Sequence, residues 1–133
     1  IMTGHWIERY IGLPYSNDYN CFDHFVHVQK EQFNLDVLKG VPKIPSFDEK
    51  HEAIAFIRGT KELKSWREVN LIKEGDAVIF GVDGMSFHIG NYIDSNNVKG
   101  ILHNSEKHGV VLTSLQVVRN NLIKPSFLRY YRG

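Results

Sequence analysis

The feature of this sequence that most limits its fold is a change of pattern along the chain. Up to about residue 59 the apolar residues recur at helical spacing, whereas from residue 77 onward short apolar runs alternate with turn residues. These runs cover residues 77–80, 87–93, 98–103, 110–113 and 127–131. Helices followed by a meander of strands predict an α+β fold, in which N-terminal helices pack on an antiparallel sheet of about five strands.

Three helices are predicted in the first half of the chain, over residues 3–11, 21–33 and 46–59. Thr3 and Ser46 can cap the first and the third helix, and Asn34 is suited to end the second. Residues 66–71 are expected to form a polar connection to the strands. The chain is therefore predicted to be a single domain over residues 1–133, with a helical insertion at 36–70.

Length, charge and cysteine content exclude several classes of protein. The 133 residues are enough for one domain, and a formal net charge of +1 gives no field that would attract nucleic acid. The single cysteine excludes a disulfide framework and cysteine-rich zinc sites. No apolar stretch approaches the ~20 residues of a membrane span, and the first residues lack the apolar core of a signal peptide. We therefore expect no nucleic-acid partner, no membrane span, no cofactor and no metal, in a protein that is cytoplasmic, processed or delivered by another system.

The only cysteine, Cys21, follows a polar, turn-prone run and opens the second predicted helix. Unpaired backbone N–H groups and the helix dipole at such a position favour negative charge, so they lower the pKa of a thiol. A lone cysteine is more often a small buried apolar residue. Two histidines further along the chain favour the other interpretation, in which Cys21 is a nucleophile.

His88 lies near the start of one predicted strand and His103 at the end of the next, so a hairpin through residues 94–97 brings them to the same end of the sheet. If the helix of Cys21 packs across that face, its N-terminus meets both imidazoles. Cys21 would then attack a carbonyl while His88 takes the thiol proton and later returns it to the leaving amine. His103 would hold the other nitrogen of His88, and Asn104 is the alternative candidate for that role, as asparagine is in papain-like enzymes.

Several segments resemble, in order and spacing along most of residues 6–131, the NlpC-type cell-wall cysteine peptidases of the NlpC and p-sixty superfamily, which have a compact papain-like fold. The matching segments are Gly12-Leu13-Pro14-Tyr15, Asn20-Cys21, Gly75-Asp76-Ala77-Val78-Ile79-Phe80, His88-Ile89-Gly90-Asn91-Tyr92-Ile93, Ile101-Leu102-His103-Asn104-Ser105 and Gly109-Val110-Val111-Leu112-Thr113-Ser114-Leu115. The resemblance implies that Cys21 is the nucleophile, His88 the base and His103 the orienting residue. It also implies that Tyr15 helps to build the oxyanion site, with Asn20 beside the nucleophile as a further oxyanion or substrate candidate.

The reaction that the resemblance implies is hydrolysis of an amide in the peptidoglycan stem peptide, commonly next to D-glutamate and a diamino acid. The start at residues 12–15 and the short loop after it resemble the peptidase domains of phage tail assembly proteins, which implies a virion-associated location and phage tail partners. The family usually has Asp-Cys-Ser-Gly at the nucleophile, where this chain has Asn20-Cys21-Phe22-Asp23. Asn20 removes a charge, and Phe22 is expected to put a large side chain at the mouth of the site.

Those two departures favour the main alternative, a catalytically inactive structural or binding module of the same fold. A third possibility keeps the fold and changes the reaction to transamidation or deacylation. His24 and His27 could bind a metal, although a solvated helix face explains them better because the sequence places no third ligand nearby. Lys107 and Arg119 could bind a substrate carboxylate, and ordinary surface charge is the simpler interpretation.

Overall fold

The computed structural model describes residues 4–35, 66–80, 88–120 and 125–130. In chain order its elements are a 3-10 helix at Trp6–Arg9, α1 (Cys21–Phe33), β1 (Trp66–Glu68), β2 (Ala77–Phe80), β3 (His88–Ser95), β4 (Val98–Ser105), β5 (Gly109–Thr113), α2 (Leu115–Arg119) and β6 (Ser126–Tyr130). The strands form one antiparallel sheet in the order β1-β6-β2-β3-β4-β5. The prediction of an α+β fold is confirmed for the described residues, and the sheet has one strand more than expected.

The bounds of α1 agree with the predicted helix because both of its ends are determined by local chemistry. The Asn20 side chain accepts hydrogen bonds from the backbone N–H groups of Phe22 and Asp23, and the Asp23 carboxylate accepts the N–H of Asn20 in return. This reciprocal pair satisfies N–H groups that the first helical turn leaves unpaired. At the other end, Asn34 takes a left-handed conformation with φ of 55° and stops the helix.

The first predicted helix is shorter and tighter than expected. Only Trp6–Arg9 is helical, as a 3-10 turn, and the side chain of His5 caps it by accepting the N–H of Ile7. Thr3, the expected cap, lies outside the described residues. So does the predicted helix over 46–59, together with most of the 36–70 insertion, and those predictions stay untested.

The polar connection predicted over 66–71 is wrong at its start, where the chain forms β1 and pairs with β6. Trp66 is 3% exposed and packs against Phe25 and Tyr130, so burial of a large aromatic side chain stabilises this short strand. Three residues are too few for the alternating pattern that identifies a strand in sequence.

The two faces of the sheet are covered by different helices. Side chains of α1 pack on the face formed by alternate residues that include Ala77, Ile79, Ile89 and Leu128. The opposite face forms a second core with α2, through residues Val78, Phe80, Tyr92, Ile101 and Val118. Because side chains alternate along a strand, each candidate site residue that lies on a strand is assigned to one of these two layers by its register.

Two buried polar contacts hold the middle of the sheet to its surroundings. Asp76 is 2% exposed and binds the Arg129 guanidinium through both oxygens, at 2.8 Å and 2.7 Å. The Gln29 amide of α1 donates to the Asn91 side chain of β3 at 2.6 Å. These contacts fix the tilt of α1 and the position of β6 relative to β2 and β3. None of the helices that the structure describes has the length and apolar character needed to cross a membrane.

Candidate active site

Cys21 is the first residue of α1, and its side chain is half-buried. The backbone N–H groups of Cys21, Phe22 and Ile89 lie near enough to the sulfur to lower the pKa of the thiol, and that of Phe22 also donates to Asn20. The first two belong to the helical turn that has no partners within the helix. The third is the N–H of Ile89 on β3. It lies outside the paired part of β3 and β4, which ends at Asn91 and Leu102. The thiol therefore lies against the first residues of β3, near the backbone of Ile89, the residue after His88.

The thiol and its nearest candidate base are both neutral at neutral pH. Burial raises the pKa of the Cys21 thiol and outweighs the three N–H groups that lower it, and the charge of Asp23 raises it further. Burial lowers the pKa of His88, and the Glu106 carboxylate partly opposes this change. The resting pair is thus a thiol and an imidazole, rather than a thiolate and an imidazolium.

The two histidines lie together on one face of the sheet, but α1 packs on the other face. His88 pairs with Phe80 of β2 in the layer that α2 covers, whereas its neighbour Ile89 packs among residues of α1. The expectation that the helix of Cys21 packs across the face of the histidines does not hold. The reason is that Ile89 and Asn91, which alternate with His88, make the contacts to α1. The thiol consequently reaches this strand at the end of the sheet.

His88 and His103 are neighbours, with ring centroids 6.4 Å apart, but no hydrogen bond joins them. The His103 Nε2 is instead 2.7 Å from the hydroxyl oxygen of Thr113 on β5. The Nδ1 atoms of both histidines are buried without a hydrogen-bond partner in the described structure. Burial lowers the pKa of His103 to about 4, and the proximity of His88 adds to the effect.

Tyr15 lies close enough to Cys21 for the two groups to interact electrostatically. Burial raises the pKa of the Tyr15 hydroxyl, and a charge on Cys21 raises it further. The hydroxyl therefore stays protonated and able to donate near the thiol. Asn20 differs, because its side-chain oxygen already accepts the two N–H groups that open α1. It holds the helix terminus that carries the nucleophile.

Asn104 lies on the α1 side of the sheet and is fully buried. Its Nδ2 donates to the backbone carbonyl of Tyr19 at 2.8 Å, and its Oδ1 has no partner in the described structure. The side chain thus holds the loop just before Cys21, on the opposite face from His88. Its contact is with the chain that carries the nucleophile rather than with the base.

His24 does not belong to a solvated face, contrary to the prediction, since it is fully buried and its ring packs edge-on against those of Tyr10 and Tyr19. The hydroxyl of Tyr19 lies 2.8 Å from Nδ1 of His24 and also 2.8 Å from Nδ1 of His27. The Nε2 of His27 is 3.0 Å from Glu31, whose carboxylate also accepts the Tyr10 hydroxyl. Among the described residues no group of three histidine, cysteine or carboxylate side chains could hold a metal ion.

Phe22 also differs from its predicted place at the mouth of the site. It is 6% exposed and packs against Phe25 in the core under α1. Lys107 and Arg119 are exposed, as expected for surface charges, and the Arg119 guanidinium lies 5.7 Å from the ring centre of Phe127. Neither side chain makes a described contact with the site.

Sequence reasoning missed two neighbours of the site, Thr113 and Phe80. Phe80 packs edge-on against His103, with ring centroids 4.9 Å apart. A register drawn for the hairpin of β4 and β5 would have placed Thr113 diagonally across from His103, because residues near a tight turn pair in order. The residue types of Thr113 and Phe80 do not by themselves indicate that these residues lie beside the site.

No protein-family model matches this chain, and the comparison with curated proteins finds no match either. The function is therefore inferred from the geometry of the site and from the order and spacing of the sequence segments around it.

Proposed function

We propose that the protein is a thiol hydrolase of compact papain-like, NlpC-type fold that cleaves an amide bond in peptidoglycan stem peptides. The observation that carries the proposal is the placement of Cys21. It opens α1 with backbone N–H groups near enough to its sulfur to affect the pKa of the thiol, and one of them belongs to Ile89, the residue after His88. A purely structural cysteine needs neither a helix terminus nor backbone N–H groups near its sulfur.

The neutral resting pair determines how such a reaction would begin. His88 accepts the thiol proton as the sulfur attacks the carbonyl carbon, so a free thiolate is never required. The backbone N–H of Cys21 and the Tyr15 hydroxyl are the donors available to the developing oxyanion. The imidazolium then protonates the departing amine, leaving a thioester. A water molecule that loses its proton to His88 hydrolyses the thioester and releases the acid product.

The substrate class rests on the resemblance of six segments to NlpC-type cell-wall peptidases. Three of these segments converge in the structure at the same end of the sheet, since Cys21 contacts Ile89 and Asn104 contacts Tyr19. The carbonyl of Leu13 also lies within hydrogen-bond distance of the N–H of Val110. These contacts bring five of the six segments next to one another in pairs, which supports the proposal.

The experiment that tests this proposal is digestion of purified muropeptides, followed by mass spectrometry of the products. We expect the wild-type protein to release a shortened stem peptide and Cys21→Ala to be inactive. His108→Ala is the matched control, because His108 is an exposed turn residue to which no role is assigned. Cleavage by Cys21→Ala at the wild-type rate would refute the proposal.

A second candidate function is a peptide-binding module without catalysis, for example in a phage tail. The raised pKa of the Cys21 thiol favours it, because a reactive cysteine usually has a lowered pKa. Such a module would bind muropeptides equally well before and after Cys21→Ala, and would release no product. Titration calorimetry of both proteins against one muropeptide, combined with the digestion, separates the two functions.

A further inference from the structure

We propose that Thr113 is a positioning residue of this site, whose hydroxyl oxygen accepts the Nε2 proton of His103 and leaves His103 Nδ1 free to accept a hydrogen bond from His88. The hydrogen bond between Thr113 and His103 does not depend on any particular activity. Its effect on catalysis rests on the proposed function. Sequence reasoning assigned Thr113 no role.

The contact is a short one between partners on adjacent strands. His103 pairs with Val111 and Ile101 pairs with Thr113, so the side chains of His103 and Thr113 lie diagonally on the same face. The Nε2 to Oγ1 distance is 2.7 Å. No other side-chain contact of this hydroxyl is seen in the described part of the chain, so its orientation follows the imidazole.

The His103 ring has little freedom to turn. Phe80 lies edge-on to it at an interplanar angle of 88°, which fixes the plane of the ring. With the plane of the ring fixed by Phe80, the remaining variable is which of its nitrogens carries the proton.

Counting donors decides between the two tautomers. His103 is neutral, because burial lowers its pKa to about 4, so the ring carries one proton. A proton on Nδ1 would be a buried donor without an acceptor, since this atom has no partner. A proton on Nε2 has Thr113 as its acceptor, and the half-buried hydroxyl of Thr113 can direct its own proton to solvent.

The unprotonated Nδ1 of His103 is the hydrogen-bond acceptor that His88 requires in its role as base. If His88 is to accept the thiol proton at Nε2, it must carry its own proton at Nδ1, which is likewise buried and without a partner. The Nδ1 proton of one ring and the bare Nδ1 of the other are complementary. The ring centroids are 6.4 Å apart, too far for a direct bond in this structure, and catalytic hydrogen bonds commonly tighten when substrate binds.

The test reads the tautomer directly, by long-range proton–nitrogen correlation spectra of the intact protein labelled with ¹⁵N-histidine. His103→Gln identifies the resonance. We expect the Nε2–H form of His103 in the wild type and in Thr113→Ser, which keeps the hydroxyl. Thr113→Val keeps the shape and removes the hydroxyl, and it should convert His103 partly or wholly to the Nδ1–H form. An Nδ1–H wild type, or a Thr113→Val spectrum unchanged at His103, would overturn the assignment.

The catalytic consequence is read separately from muropeptide cleavage. Loss of one neutral hydrogen bond behind the base should lower kcat of Thr113→Val by up to about tenfold with KM unchanged, and Thr113→Ser should restore it. Unchanged kcat in an active Thr113→Val protein would contradict the positioning role. A wild-type protein that cleaves nothing would refute the proposed function alone, because the spectra decide the tautomer without any turnover. Equal thermal midpoints of the variants would exclude a general loss of structure.

Discussion

Acidification should unfold this protein largely through two buried imidazoles. His24 is fully buried, and burial lowers its pKa to about 3, with smaller contributions from His27 and His103. The pKa of His103 is lowered to about 4 for the same reason. In the unfolded chain both groups titrate near 6.5. Below that pH the unfolded state therefore binds protons that the folded state does not bind.

The size of the effect follows from the difference in bound protons. This stabilisation is complete above pH 6.5 and is lost as the pH falls from 6.5 toward the folded-state values. The loss is about 1.4 kcal/mol per pH unit for each histidine. Between pH 6.5 and 4.5 the pair accounts for about 5 kcal/mol, which is comparable with the whole stability of a small domain.

Urea unfolding followed by tryptophan fluorescence, at half-unit steps from pH 7.5 to 4.5, measures this loss. We expect His24→Leu to be less stable than the wild type at pH 7.5 but to lose stability with pH about half as steeply. His108→Leu, which removes an exposed histidine, should keep the wild-type slope. Equal slopes for His24→Leu and the wild type would show that His24 is charged or hydrated in the folded protein, and would refute the reasoning.

Three further predictions concern the sheet and the thiol. Asp76→Asn should cost about 3 kcal/mol in urea unfolding, because it leaves the Arg129 guanidinium without its carboxylate partner; a loss below 1 kcal/mol would contradict this. Gly90→Ala should cost about 1–3 kcal/mol, since the new Cβ would lie 2.7 Å from Ile101 Cγ2, and an unchanged thermal midpoint would count against the packing described here. Alkylation of Cys21 by iodoacetamide should be slower at pH 7 than that of a free thiol and should rise about tenfold per pH unit, because burial raises the pKa of the thiol. A rate that is flat between pH 5 and 8, measured by mass spectrometry, would instead indicate a stable thiolate–imidazolium pair.

The elements that sequence analysis predicted well are those determined by nearby residues. The bounds of α1 follow from Asn20 and Asn34, each of which acts within one helical turn of its own position. The hairpin of β3 and β4 follows from Asn96 and Asn97, whose φ angles of 51° and 67° suit a tight turn. Cross-strand neighbours such as His88 and His103 could then be placed near each other.

Contacts between elements distant in the chain could not be predicted in this way. Whether α1 covers one face of the sheet or the other changes with a shift of one residue in register, and residues 89–93 of β3 are buried on both faces. The burial of His24 depends on Tyr10 and Tyr19, which approach it from an irregular segment. For the same reason Trp66 gave no sign of belonging to a strand that pairs with the end of the chain.

The hydroxyl of Tyr19 lies between the imidazoles of His24 and His27 and can donate its single proton to only one of them. The proton positions on the two histidines are therefore linked. Glu31 can only accept, so the Nε2 of His27 carries a proton, and a neutral His27 must take the Tyr19 proton at Nδ1. His24 then donates to Tyr19 from its own Nδ1. The position of the proton on the buried His24 is therefore set by the exposed Glu31 carboxylate, through His27 and the Tyr19 hydroxyl.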